Sequence, residues 1–181
     1  LAHRRSRDLD LFCRDARGVR ELARALPDAG QAAGLRIEIV RDAATHVRAR
    51  ATAADTTVEV DLVYEPTPEV DGSPTVVEGV HLRSLVDLRA SKLTCILSRS
   101  EPRDLVDLLF LDRAGFPPED DLGAAVTKDG GMDPGVLSWL LAQFPTRPLP
   151  EMLEPLSETS LAEFRDTLVV RMRARAVPGL R

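Results

Sequence analysis

Asp8 and Asp10 stand two residues apart in a run where polar and apolar side chains alternate, Asp8 to Cys13 (DLDLFC). That period predicts a strand with both carboxylates on one face, about 6.5–7 Å apart along it. Asp61 lies in a second alternating run, Thr57 to Tyr64 (TVEVDLVY). If the two strands are neighbours, three carboxylates, Asp8, Asp10 and Asp61, converge at one edge of a sheet. Clustered carboxylates repel one another, so such a site needs cations, and hard oxygen donors select Mg²⁺ or Mn²⁺. Two ions held in this way clamp the attacking and leaving oxygens of a phosphoryl or nucleotidyl transfer. The competing interpretation is the solvated face of an edge strand. Leu9, Leu11 and Phe12 argue against it, because they imply a well-buried strand, and a buried sheet seldom presents bare aspartates without a purpose.

Positive partners for a polyphosphate are also present. Arg4, Arg5 and Arg7 precede the first run, and guanidinium groups grip phosphates bidentately; a solvated arginine-rich turn is the alternative. Of 24 basic residues only Lys92 and Lys128 are lysines. The arginine excess, with abundant alanine, reads as genome bias, and against it Lys92 stands out on an apolar-striped helix. An ammonium is a compact charge that reaches a phosphate where a guanidinium does not fit. A surface lysine with its stem along the helix is the alternative. Lys92 and Arg99 are two helical turns apart, and Asp104 and Asp107 share a face. With Arg103 they suit an inter-helix salt-bridge network, or Asp107 orients Lys92 or an acceptor.

Alternation predicts strands at 8–13, 35–41, 45–51 and 57–64. Apolar residues at helical spacing, Val19, Leu22, Ala23 and Leu26, predict a helix from Ala16 that ends near Pro27. Residues 65–74, rich in Pro, Asp and Gly, read as a loop. From His81 the pattern turns helical: Leu82, Leu85, Val86, Leu93, Ile96 and Leu97 form one stripe. A helix restarts at Ser100, the candidate cap, with Pro102 in its first turn, and further helices are expected at 119–127, 134–143 and 161–175. A sheet followed by helices predicts an α+β fold: a small mixed sheet in residues 1–80 and a C-terminal helical subdomain in 81–181.

With 181 residues, 44% hydrophobic and 29% charged, the chain is long enough for a substantial core and is not disordered in composition. Two cysteines, Cys13 and Cys95, supply neither a metal cluster nor a disulfide scaffold, which points to a reducing cytoplasm. No apolar run approaches the roughly 18 residues of a membrane span, and no signal peptide is visible. A net charge of −5 excludes a uniformly basic nucleic-acid coat. Arg171, Arg173, Arg175 and Arg181 nevertheless form a local positive patch for an acidic partner or nucleotide. The acid-rich stretch 115–163 reads as a solvated helical surface, and Trp139 and Phe144 as core.

Two segments, HRRSRDLDLF over 3–12 and SKLTCILSRSEPRDLVD over 91–107, with a strand aspartate between them, resemble the AbiEii-type nucleotidyltransferases. These are toxins of bacterial toxin–antitoxin and phage-defence systems, within the DNA polymerase β-like superfamily. The resemblance implies metal-dependent transfer of a nucleoside monophosphate from an NTP to an acceptor, plausibly the end of an RNA, and an antitoxin partner. Asp8 and Asp10 match the metal-binding pair. Lys92 matches the lysine that contacts the nucleotide phosphates, and Asp107 the acid that closes the second motif. Asp61 occupies the place of a third carboxylate that helps hold the metal and deprotonates the acceptor. Arg5, Ser6 and Arg99 complete the implied nucleotide site. Family members carry a Gly-Gly-Ser/Thr turn just before the His-Arg-x-Ser segment, and the sequence begins after it, at Leu1. Such a turn is an anion cradle, so a chain complete as written is expected to bind and turn over nucleotide poorly. A catalytically impaired remnant or partner-binding module is therefore one alternative, and a small-molecule (antibiotic) nucleotidyltransferase another.

Overall fold

The structure, a computed structural model, describes residues 2–6, 8–71 and 75–176. Arg7 and Arg181, named above, lie outside the described residues. The chain divides into two compact units, 6–67 and 1–5 with 68–181, rather than at residue 80. The first residues belong with the helices because their backbone is strapped there. Arg5 N–H donates to Glu151 O at 3.0 Å, and Leu153 N–H donates to His3 O at 2.8 Å. Residues 70 and 71 are claimed by the same unit, since both backbone N–H groups donate to the Asp87 carboxylate.

The unit 6–67 is the expected mixed sheet. β1 (Asp8–Cys13), β2 (Arg36–Asp42), β3 (His46–Ala53) and β4 (Thr56–Tyr64) lie in the order β1-β4-β3-β2. β1 runs parallel to β4, while β2, β3 and β4 are antiparallel neighbours. α1 (Ala16–Ala32) starts on an Asp15 cap that accepts from Gly18 N–H, and it covers one face. Val19, Val47, Ala49, Val60, Leu62 and Cys13 form the core there, with Ala23, Leu26 and Ile37 packed against it. α1 runs past Pro27 to Ala32. Pro27 is exposed, so water can take the carbonyl that loses its partner, and the apolar stripe on the sheet holds the helix together. Gly30 lets α1 close on β2: a Cβ there would sit 2.3 Å from Ile37 Cγ1. β1 is an edge strand, not a buried one. Leu9 is 50% and Phe12 43% exposed, so local apolarity overstated its burial.

In the helical unit a short hairpin, β5 (Thr75–Val77) and β6 (Val80–Leu82), precedes α2 (Leu85–Ser98). His81 and Leu82 are therefore strand residues, and Leu82 and Leu85 are exposed rather than part of the helical stripe. α2 begins on Ser84, which accepts from Asp87 N–H, and buries Ala90, Leu93 and Ile96. α3 (Pro102–Arg113) starts one residue after the expected cap, on Glu101, with Pro102 at its first position. A 3-10 turn (Pro118–Asp121), α4 (Leu122–Lys128), α5 (Pro134–Ala142) and α6 (Glu158–Ala176) follow. Their core centres on Leu105, Leu108, Leu137, Leu141, Leu161 and Leu168. Phe144 is core as expected, whereas Trp139 is 65% exposed. The acidic stretch is partly consumed within the unit. Arg89 grips Asp121, Arg171 reaches Asp112 and Glu119, and Arg175 reaches Asp120. The C-terminal arginines 171 and 175 thus hold the chain's own acids. No helix among the described residues is long and apolar enough to cross a membrane.

Candidate active site

Strand parity sorts the sheet into two faces. Residues that pack under α1 occupy alternate positions, and the positions between them place Asp8, Asp10, Glu59, Asp61, His46 and Arg48 on the opposite face. Asp10 stands directly across from Asp61 in the parallel β1–β4 register. Ser6 Oγ donates to Asp8 Oδ1 at 2.9 Å and so orients that carboxylate. Asp61 is buried, and its carboxylate is turned toward β3. Arg48, its register partner on that side, donates Nε to Oδ1 at 2.8 Å and Nη2 to Oδ2 at 2.9 Å. His46 Nε2 lies 2.7 Å from the same Oδ1. The Arg48 bonds hold the Asp61 carboxyl below the ordinary carboxylate range; burial works the other way, and His46 adds to the lowering. Arg48 is in turn raised, chiefly by Asp61, with Glu59 and Asp10 contributing.

In the helical unit the second motif folds around Asp107. Lys92 Nζ lies 2.6 Å from Asp107 Oδ2 and 3.6 Å from Asp104 Oδ1, with its side chain 24% exposed. Arg4 binds Asp107 with both arms of its fork, Nε at 2.6 Å and Nη2 at 2.8 Å. His3 Nε2 completes the set at 2.8 Å, and its ring stacks on Phe110 with centroids 4.4 Å apart. Burial pushes the Asp107 carboxyl up, but Arg4 and Lys92 outweigh it and hold the group well below its usual range. Arg99 forms a second fork on the fully buried Asp104, at 2.8 Å on each arm. Three permanent cations, Arg4, Lys92 and Arg99, thus face two carboxylates.

Comparison with known proteins places the chain in a family. The family profile described as nucleotidyl transferase AbiEii toxin, of type IV toxin–antitoxin systems, matches residues 1–177. The chain belongs to this family. It is a nucleotidyltransferase of the toxin type. JHP933 from Helicobacter pylori has the same fold, with a TM-score of 0.56 at 22% identity over 96% of this chain and 78% of that one. MenT4, the nucleotidyltransferase toxin Rv2826c of Mycobacterium tuberculosis H37Rv, aligns with a TM-score of 0.54 at 15% identity over 93% of this chain and 68% of that one. A search of curated protein sequences finds no match.

The nucleotidyltransferase residues expected from the sequence fall into two groups. Asp8, Asp10, Asp61 and Ser6 lie in the sheet unit, and Lys92, Arg99, Asp107 and Arg5 in the helical one. Arg5 is exposed and pairs with Glu151 at 3.2 Å, while its neighbour Arg4 is the arginine built into the cluster. Motif spacing does not single out His3, His46 or Arg48 as site residues, and it offers Arg4 as a phosphate partner rather than as the partner of Asp107. For Arg48 a signal existed, since its β3 alternation places it on the face opposite Val47 and Ala49. His3 and Arg4 meet Asp107 across more than a hundred residues, which no local pattern reveals.

The resemblance read from the sequence carries the expectation of a divalent cation. Asp8 and Asp10 fit one: both are carboxylates on one strand face, and Ser6 fixes the first of them. Among the described residues no group of three or more His, Cys, Asp or Glu side chains is arranged to hold a metal ion. The Asp61 oxygens are turned to Arg48 and His46 instead.

Proposed function

We propose that this toxin transfers a nucleoside monophosphate from an NTP to a hydroxyl at the end of an RNA, with a divalent cation at Asp8 and Asp10. The observation that carries the reading is the placement of Asp8 and Asp10 on the polar face of β1, opposite the face packed under α1. A divalent cation bound by this pair neutralises phosphate charge and polarises the α-phosphoryl group. The acceptor oxygen forms a bond to the α-phosphorus, the bond from that phosphorus to the α–β bridging oxygen breaks, pyrophosphate leaves, and the hydroxyl proton passes to base. Such a transfer depends on positioning and charge stabilisation more than on covalent chemistry.

The helical unit carries positive charge of its own for a nucleotide phosphate. Lys92 is held by Asp107 yet remains partly open to solvent, so it can meet a phosphate oxygen without leaving its carboxylate. Arg4 and Arg99 add positive charge to the same cluster through their forks on Asp107 and Asp104. Ser6 keeps Asp8 in one orientation. Incubation with α-labelled NTPs, Mg²⁺ and RNA tests the reading. Label is expected in RNA and is expected to vanish with EDTA or ribonuclease. Label found instead in protein or in a small-molecule fraction contradicts the RNA acceptor.

A further inference from the structure

Asp61 stands where a third metal-binding carboxylate is expected, but its surroundings assign it different work. β4 lies between β1 and β3, so Asp61 has Asp10 on one side and Arg48 on the other. The carboxylate faces Arg48. Oδ1 accepts from Arg48 Nε and lies 2.7 Å from His46 Nε2, and Oδ2 accepts from Arg48 Nη2. An ionised carboxylate offers about four acceptor sites, and three are taken by donors at 2.7–2.9 Å. The Arg48 fork is the strongest geometry a carboxylate accepts, and Asp61 is only 6% exposed. Releasing it to a cation would break both arms of that fork and leave Arg48 with its longer contact to Glu59.

Arg48 is itself held on this side of the sheet by that second carboxylate, with Nη1 3.7 Å from Glu59 Oε2. Resting on the cation reading above, we infer that Asp61 is an anchoring carboxylate, not a metal ligand. It fixes Arg48 and His46 on the polar face of the sheet, and the cation is held at Asp8 and Asp10 without it. Asp61 is then a positioning residue whose removal is felt through Arg48 and His46.

The experiment is Mn²⁺ binding to the intact chain, read by the free-ion electron spin resonance signal. The paired variant R48M/D61N removes both members of the ion pair and leaves no stranded charge, so it is expected to fold. Its Mn²⁺ affinity is expected to stay within about threefold of wild type, while D8N and D10N each weaken binding by about tenfold or more, as loss of a ligand charge does. On the wild-type chain, the Arg48 Nε–H resonance is expected to remain protected from exchange at saturating Mg²⁺. A loss in R48M/D61N as large as in D8N overturns the assignment, as does loss of Arg48 protection on adding Mg²⁺. Absence of any Mn²⁺ binding by the wild-type chain is a separate result. It overturns the cation reading and the assignment with it.

Discussion

Replacing Asp107 with asparagine tests the hub of the helical unit. The carboxylate is buried and receives Arg4 at 2.6 and 2.8 Å, Lys92 at 2.6 Å and His3 at 2.8 Å. Asparagine keeps the shape, removes the charge and turns an N–H₂ group toward cations. A hydrogen bond to a charged group contributes about 1.5–3 kcal/mol, but these contacts share one carboxylate and do not add. Breaking a buried ion pair by removing one partner costs about 3–5 kcal/mol. Lys92 keeps Asp104 at 3.6 Å, which recovers part of the loss, so about 3 kcal/mol is expected. Against a typical total of about 5–15 kcal/mol the variant still folds. Urea unfolding followed by circular dichroism reads the loss, as a midpoint lowered by about 1–3 M for slopes of about 1–3 kcal/mol/M. In a K92M background the same substitution is expected to cost at least about 1 kcal/mol less, because the two changes remove one interaction. A loss below about 1 kcal/mol, or full additivity with K92M, refutes the hub.

Two other sites give independent tests. Ala at Gly30 gains about 1 kcal/mol of helix propensity but drives a Cβ to 2.3 Å from Ile37 Cγ1, so a net loss of about 1–2 kcal/mol is expected by thermal or urea unfolding. A neutral or stabilised G30A shows that β2 yields. Asp87 is opposed by burial but held at about 2 against an ordinary 3.8 by Lys128, the Val70 N–H, Ser84 and the Asp71 N–H. A carboxyl lowered on folding contributes stability that is present above 3.8 and lost as pH falls toward about 2. In K128M the folded value moves up toward 3.8, so the Asp87 share of the acid decline in melting temperature is expected to be smaller than in wild type and to end at higher pH. Superimposable profiles contradict the role given to Lys128.

The parts of the fold that were legible in sequence are those encoded locally. Alternation at 8–13, 35–41, 45–51 and 57–64 finds all four strands to within two residues of their ends, and it places Asp8 and Asp10 on one face without reference to any other segment. Strand order is not local. Leu9 and Phe12 implied a buried strand, and only the order β1-β4-β3-β2 reveals an edge. The β5–β6 hairpin escaped because it is three residues long on each side and exposed. Pro27 misled in the opposite direction, since packing of Val19, Ala23 and Leu26 outweighs one lost backbone bond. The lysine scarcity was informative at both positions. Lys92 lies on Asp107 and Lys128 on Asp87, two buried aspartates that receive a compact ammonium. The partners themselves, His3 and Arg4 above all, were illegible because ion pairing leaves no periodic trace across such separations.

The proposal that Asp8 and Asp10 carry the cation-dependent transfer meets its most direct test in one comparison. Transfer of α-labelled nucleotide to RNA in Mg²⁺ is measured for the wild-type chain and for D8A/D10A, with circular dichroism confirming that both are folded. Incorporation by the wild-type chain and none by the folded double variant is the predicted result. Incorporation by D8A/D10A at the wild-type rate contradicts it.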